Sequence, residues 1–272
     1  KTQCPKKTVN TKTRILMKYK SLLSTIYFVI IFFSFVSFVS AQAFIDVESG
    51  AVFTGYNNVR IPGDVGTLFS LKDDLTPSPN AFIRIRAGYK LGTRHTISLL
   101  YAPLIVKSEG ISNREIFFKD VTFPSSTELN SKYKFNSYRI TYRYDIVKRE
   151  KIEFGLGFTA KIRDAEIALN STDLAASKTN IGFVPIINFR VNWKTTDKVG
   201  ILFEGDALAA PQGRAEDVLL AGTYRVSDNL LVHLGYRILE GGADNDEVYN
   251  FSLFHYASVG ATFTFMKKTK SN

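Results

Sequence analysis

The stretch Tyr133–Arg163 reads YKFNSYRITYRYDIV, KREK, IEFGLGFTAKIR, and it decides how the rest of the chain is read. In steps of two, one set of positions is Tyr138, Ile140, Tyr142, Tyr144, Ile146, then Ile152, Phe154, Leu156, Phe158, Ala160, Ile162. The alternate set is Ser137, Arg139, Thr141, Arg143, Asp145, then Glu153, Gly155, Gly157, Thr159, Lys161, Arg163. A period of two belongs to extended strands, whose successive side chains leave opposite faces of a sheet. The two apolar faces must coincide, which requires an odd number of residues in the turn, three or five by our reading; a one-residue slip would set Arg143 among the Tyr and Ile side chains. One face is therefore aromatic and aliphatic, and the other carries charge and glycine.

Outward from this hairpin the same alternation recurs. It predicts strands at Phe44–Thr54, Ala81–Leu91, His95–Val106, Ile181–Trp193, Val199–Ala209, Asp217–Val226, Leu230–Leu239 and Phe251–Phe265, ten in all with the central pair. Connections alternate between tight turns, such as Gly92-Thr93-Arg94 and Ser227-Asp228-Asn229, and longer polar segments. The long ones are Gly55–Asn80, the stretch up to about Lys132, about Ala168–Thr179, the PQGR loop and the acidic GGADNDE loop. Within the second, REIFFKDVTF can pair as a short hairpin outside the main sheet.

Alternation alone fits a soluble sandwich, with the apolar face inside, as well as a membrane barrel. The aromatic positions discriminate. Tyr89, Tyr144, Trp193 and Tyr224 all lie on the apolar face, shortly before a tight turn. Four such residues at one level form an aromatic belt where rings meet headgroups. Strands of about ten residues suit a tilted crossing of hydrocarbon, and the last, VGATFTF, ends on an aromatic residue. The fold class expected is all-β: a closed, antiparallel, up-and-down transmembrane β-barrel of about ten strands. Closure is required because lipid cannot hydrogen-bond a free strand edge. The short turns then face the periplasm and the long loops the exterior.

The N-terminal segment supports export. Met17-Lys-Tyr-Lys followed by the apolar run Leu22–Val39 and the small residues Val39-Ser-Ala41 reads as a cleavable secretory signal peptide over 17–41, with Ala43 a second cleavage position. Its alternative is a retained anchor, since the run is just long enough to span a bilayer. Residues 1–16 read as an upstream extension and 42–272 as the barrel. Seven of the 35 basic residues precede Ala41 with no acidic partner, leaving 28 against 25 acidic, so the net charge of +10 is mostly in this leader. No basic cluster remains to indicate nucleic acid. The lone Cys4 also lies there, so the body has no thiol for a disulfide or metal site.

Ten alternating strands, tight turns opposite long loops, a signal peptide and the terminal VGATFTF strand resemble the small outer-membrane β-barrel proteins of Gram-negative bacteria. The Met-Lys-Lys-Thr-Lys-Ser-Asn tail after Phe265 departs from members that stop at the aromatic residue. The resemblance implies residence in the outer membrane, a monomer inserted by the barrel-assembly machinery, and outer-membrane lipids and lipopolysaccharide as surroundings.

The inward face carries the candidate site. Its acids are Asp46, Glu48, Asp145, Glu153, Glu204, Asp206 and Asp217; its bases are Arg84, Arg86, Lys90, Arg139, Arg143, Lys161, Arg163, Arg225 and Arg237, with His233 among them. Near-equal numbers in a narrow lumen point to a mutual ion-pair network, because an unpaired buried charge is costly. Such a network braces and plugs a barrel; the alternative is a narrow wet passage with a slight preference for anions. Catalysis finds little footing. Of the three histidines, His95 belongs to the periplasmic edge, His233 to the lumen and His255 to the lipid-facing parity. His95 with Ser98 and His255 with Ser258 fall on opposite faces of their strands. A lipid-modifying hydrolase is the second alternative. At the outer rim we place Arg163, Asp164, Glu166, Asp206, Arg214, Glu216, Asp217, Glu240, Asp244 and Asp246, a set able to meet lipopolysaccharide phosphates or calcium. The acidic loop lacks the glycine and distal glutamate of a calcium loop, so no metal site and no cofactor is expected. The reading of function is a structural or surface-interaction role.

Overall fold

The computed structural model describes residues 41–211 and 213–265; the expected signal peptide, apart from Ala41, and the basic tail lie outside them. The ten strands of the wall are β1 (Ala41–Arg60), β2 (Asn80–Leu91), β3 (His95–Ala102), β4 (Thr127–Lys148), β5 (Ile152–Asn170), β6 (Ala175–Lys194), β7 (Val199–Ala210), β8 (Gly213–Arg225), β9 (Leu230–Asn245) and β10 (Val248–Phe265). Each is antiparallel to its neighbour in sequence, and β1 pairs with both β2 and β10, from Ala43↔Phe265 to Arg60↔Tyr249. That last pairing closes the sheet, so every strand has two partners, as hydrocarbon demands.

Three residues, 149–151, separate β4 from β5, but the first pair, Lys148↔Glu153, encloses four, an even number that by itself would set the two apolar faces on opposite sides. A register shift at Phe154/Gly155 absorbs one residue, after which Tyr144 faces Leu156 and Tyr142 faces Phe158. Such a bulge keeps the apolar set on one side while twisting the hairpin. The glycines of GLGF answer crowding in this curved wall. A β-carbon on Gly157 would fall 2.1 Å from the Tyr142 carbonyl oxygen, and one on Gly155 would fall 2.6 Å from Asp145 Oδ1.

The strands run further than the alternation indicated. Much of the Gly55–Asn80, Ala168–Thr179 and GGADNDE segments is strand, because β1, β5, β6, β9 and β10 continue outward as paired ribbons. After a break at Pro103-Leu104 the chain resumes as Ile105–Ser112, still paired with β4. Ile116–Phe118 and Val121–Phe123 form a separate two-stranded sheet, so REIFFKDVTF does pair outside the wall. The first long connection and this hairpin are tied together, Lys119 N–H donating to Ile61 O and Thr67 N–H to Phe117 O. Between them they bury Ile61, Phe69, Leu71, Leu75, Ile116, Phe118 and Phe123 in one apolar cluster over the outer half of the barrel.

The exterior is apolar. Ile83, Ile85, Ile97, Leu99, Tyr138, Ile140, Tyr142, Phe158, Ile162, Leu220 and Leu234 are exposed, while Arg84, Arg139, Arg143 and Arg237 of the alternate face are buried. That distribution is the reverse of a soluble sandwich and suits a wall solvated by lipid. Tyr89, Tyr144, Trp193 and Tyr224 are all exposed on this exterior beside the short turns. Trp193 is the single tryptophan and is 50% exposed. Reconstituted into bilayers, its fluorescence is expected to be quenched more by phospholipids brominated near the headgroup than by those brominated at the chain ends; insensitivity to both, with free access to aqueous acrylamide, would refute the belt.

Candidate functional site

Alternation that turns apolar side chains to lipid turns the polar ones inward, and the curved wall brings side chains from distant strands within bonding distance. At mid-barrel Arg237 lies between two carboxylates. Its Nε and Nη2 donate to Glu48 Oε1 and Oε2 at 2.8 and 2.6 Å, and its Nη1 to Asp217 Oδ1 at 2.6 Å. The other oxygen of Asp217 accepts from Arg84 Nη2 at 2.8 Å and Arg139 Nη2 at 2.6 Å. Arg139 Nη1 continues to Asp206 Oδ2 at 2.6 Å, whose Oδ1 accepts from Thr159 Oγ1 and Asn188 Nδ2. Ser258 Oγ donates to Glu48. Three guanidiniums and three carboxylates thus neutralise one another, and all six residues are buried. Charges withdrawn from water this far persist only when paired and hydrogen-bonded on several sides.

Toward the periplasm a second group follows. Arg86 and Arg190 hold the two oxygens of Glu204 at 2.7 and 3.1 Å. His233 Nε2 lies 3.5 Å from Asp46 Oδ2, which also accepts from Thr262 Oγ1. Gly260 makes room for that imidazole, since a β-carbon there would lie 2.3 Å from His233 Nε2. Below is a vestibule of about 310 Å³ lined by Lys90, Arg143, Asp145, Glu153, Arg190 and Arg225 among others.

At the outer end a cavity of about 840 Å³ lies beside the apolar cluster. Tyr133, Phe135, Phe254 and Ile61 contribute apolar walls, and Lys161 and Arg163 also line it. The two cavities share no lining residue, and the guanidinium–carboxylate group lines neither.

The sequence-based set divides accordingly. Asp46, Glu48, Arg84, Arg86, Arg139, Arg143, Asp145, Glu204, Asp206, Asp217, His233 and Arg237 make ion-pair contacts in the lumen. Lys161, Arg163, Glu153 and Arg225 do not join them. Glu153 accepts only from Asn192, and Arg163 donates to Asn180 Oδ1. Lys161 and Arg163 stand at the outer cavity, and Glu153 and Arg225 at the vestibule. Asp206 and Asp217 are not at the outer rim but within the buried group, because β7 and β8 meet in a short hairpin that extends beyond them to Ala210↔Gly213. Arg190, absent from the sequence-based set, also belongs to the network; it shares a strand parity with the inward Asn188, and Thr159 and Ser258 join by the same alternation.

Arg237→Met leaves Glu48 and Asp217 short of a partner and is expected to destabilise the barrel by about 3–5 kcal/mol. Arg225→Met, at a half-buried side chain with no ion pair, should cost under about 1 kcal/mol. Denaturant unfolding in lipid vesicles reads the difference, and equal losses would refute the central place of Arg237.

No protein-family model and no curated protein matches this sequence. Among solved structures the chain is similar to the outer-membrane protease OmpT of Escherichia coli, with a TM-score of 0.54 and 11% identity over 82% of this chain and 97% of that one. The similarity to Ail, the attachment invasion locus protein of Yersinia pestis, is weaker (TM-score 0.38, 9% identity, 82% and 99% covered). So is that to neisserial surface protein A (TM-score 0.33, 16% identity, 81% and 97% covered). The likeness to OmpT concerns the fold alone, and the other two carry no argument. Closed by β1 and β10 and apolar on its outer face, this chain has the fold of an outer-membrane β-barrel.

Proposed function

We propose that the barrel is closed to solutes and works at the cell surface, presenting its outer ribbons and outer cavity to a binding partner. The observation that supports this most is the guanidinium–carboxylate group of Arg84, Arg139, Arg237, Glu48, Asp206 and Asp217, which lies between two cavities that have no lining residue in common. Its charges are held across the lumen as well as between neighbouring strands, Arg84 of β2 and Arg139 of β4 both reaching Asp217 of β8, so a permeating ion would have to break several short hydrogen bonds at once. Above it, Phe82 and Tyr256 meet edge to face at 4.8 Å and begin the apolar cluster, which offers no wet path either.

A channel with a slight anion preference is the second reading, favoured only by the basic residues of the periplasmic vestibule. Hydrolysis after the manner of the protease OmpT would need a base or activated nucleophile at the outer cavity. The three histidines are elsewhere. His95 contacts Tyr142 on the exterior, His233 faces Asp46 in the lumen, and His255 contacts Tyr236 on the exterior. Lipopolysaccharide and membrane lipids around the wall, a single chain as the working unit and insertion by the barrel-assembly machinery complete the reading as proposals.

Planar-bilayer recording tests it. Correctly folded protein is expected to give flat traces, whereas the paired substitution Arg237→Ala with Arg139→Ala, which empties the group, should admit ion flow. Reproducible unitary conductance from the unaltered barrel would overturn the closed reading.

A further inference from the structure

Among the described residues, Lys161 is the one buried lumen cation that the network leaves over. Its side chain projects inward from β5 on the parity of Thr159 and Arg163, opposite Arg139 on β4 and Val184 on β6. The residue is 2% exposed and lines the outer cavity. Among the described residues its ammonium group makes no ion pair and no hydrogen bond; its nearest recorded partner is the face of the Phe135 ring, 4.7 Å from the ring centre. Asp206 and Asp217, the nearest acids below, are committed to Arg139, Arg84 and Arg237. Two residues further out, Arg163 gives one Nη to Asn180 Oδ1, and its Nε is buried without an acceptor. Two cations therefore point into the same space, each with donors unspent.

The acids around the cavity do not answer them. Glu166 is taken by Lys132, Glu240 by Arg214 and Glu247 by Lys178, and Asp246, exposed at the mouth, forms no ion pair with either cation. An ammonium that leaves an otherwise buried side chain to face a cavity without a counter-ion is costly to hold there, and an anion brought from outside would relieve it.

The walls specify what else that anion must carry. Tyr133 and Phe254, 5.4 Å apart, and Phe135, stacked on Tyr133, form a continuous aromatic surface beside the two cations. The cavity also reaches the wall at a seam. β6 and β7 pair from Lys194↔Gly200 up to Ile187↔Ala207 and then separate. The residues that would continue the ladder, 184–186 and 208–210, have no partner across it, and Pro185 has no N–H to contribute. Phe183, Val184, Leu208 and Ala210 line the cavity at this gap, while Phe183 and Ile181 face outward and are among the most exposed apolar side chains. Pro185 stands eight residues along β6 from Trp193, about 20 Å up the barrel for a tilted strand, which is within the outer part of the hydrocarbon.

We propose that the outer cavity binds an amphiphilic monoanion, its carboxylate held by Lys161 and Arg163 and its apolar body lying along Tyr133, Phe135 and Phe254 toward the seam. The volume of about 840 Å³ is of the size that accommodates small organic ligands. The proposal rests on the closed, surface-directed reading, since the site is a dead end rather than a station on a path.

Dodecanoate is the probe, titrated onto the folded barrel in nanodiscs of zwitterionic phospholipid, with empty nanodiscs as the background. Saturable binding near one per barrel is expected. Dodecyltrimethylammonium, with the charge reversed, should show none above background. Butanoate, with the head but little chain, should bind at least about tenfold more weakly, since each buried methylene contributes close to 0.8 kcal/mol. Lys161→Met and Arg163→Gln should each weaken dodecanoate by roughly ten- to a hundredfold, the worth of a hydrogen bond to a charged group. Arg225→Gln, in the periplasmic vestibule, should leave it unchanged. Unsaturable uptake by folded protein, equal binding of the cationic amphiphile, or affinity indifferent to both cavity substitutions would each overturn the proposal. Conductance recorded on the same preparation separates the two readings: flat traces without binding sink only this inference, and conductance by the unaltered barrel sinks the closed reading itself.

Discussion

Hydrocarbon offers a backbone N–H or C=O nothing to bond, and the structure depends on how the wall meets that condition. The pairing of β1 with β10 turns an open sheet with two needy edges into a ring with none. Closure then sets everything inside. It fixes a lumen into which each strand delivers every second side chain, and it forces charges from strands far apart in sequence into one confined volume. Glu48 and Arg237 are separated by 189 positions and still form a bidentate pair.

The interior answers that confinement in tiers. At mid-height, guanidiniums and carboxylates are matched and saturated. Outward, where the strands continue past the membrane as ribbons, the first long connection and the Ile116–Phe123 hairpin fold over the mouth and fill it with apolar side chains. Inward, the vestibule is wet and basic. The barrel thus has a polar core and a greasy lid, with the membrane outside. The two fillings exclude water by different physics: one through saturated hydrogen bonding, the other through apolar burial.

At the seam between β6 and β7 the wall relaxes its own rule. The short β7–β8 hairpin ends while β6 continues, so a strand edge and an apolar flank are left together beside the outer cavity. The unmatched Lys161 and the underused Arg163 occupy that same corner. Exceptions to an otherwise saturated design are where binding sites are to be sought, because a natural chain keeps local inconsistencies where function requires them.

Strand number, the outward apolar face and the inward charged face were legible in the sequence, because a period of two is a local property that each strand displays by itself. The parity of Arg139, Arg143 and Lys161 in the central hairpin already told which side they would take. What parity could not tell was height and partnership. Asp206 and Asp217 look like rim residues when counted from the PQGR loop, yet the shear of the closed sheet sets them at the centre opposite Arg139. Lys161 looks like one more member of a balanced network and stands instead above it, without a counter-ion. Those facts depend on which strands face one another across the lumen, a distance that alternation along a single strand does not encode.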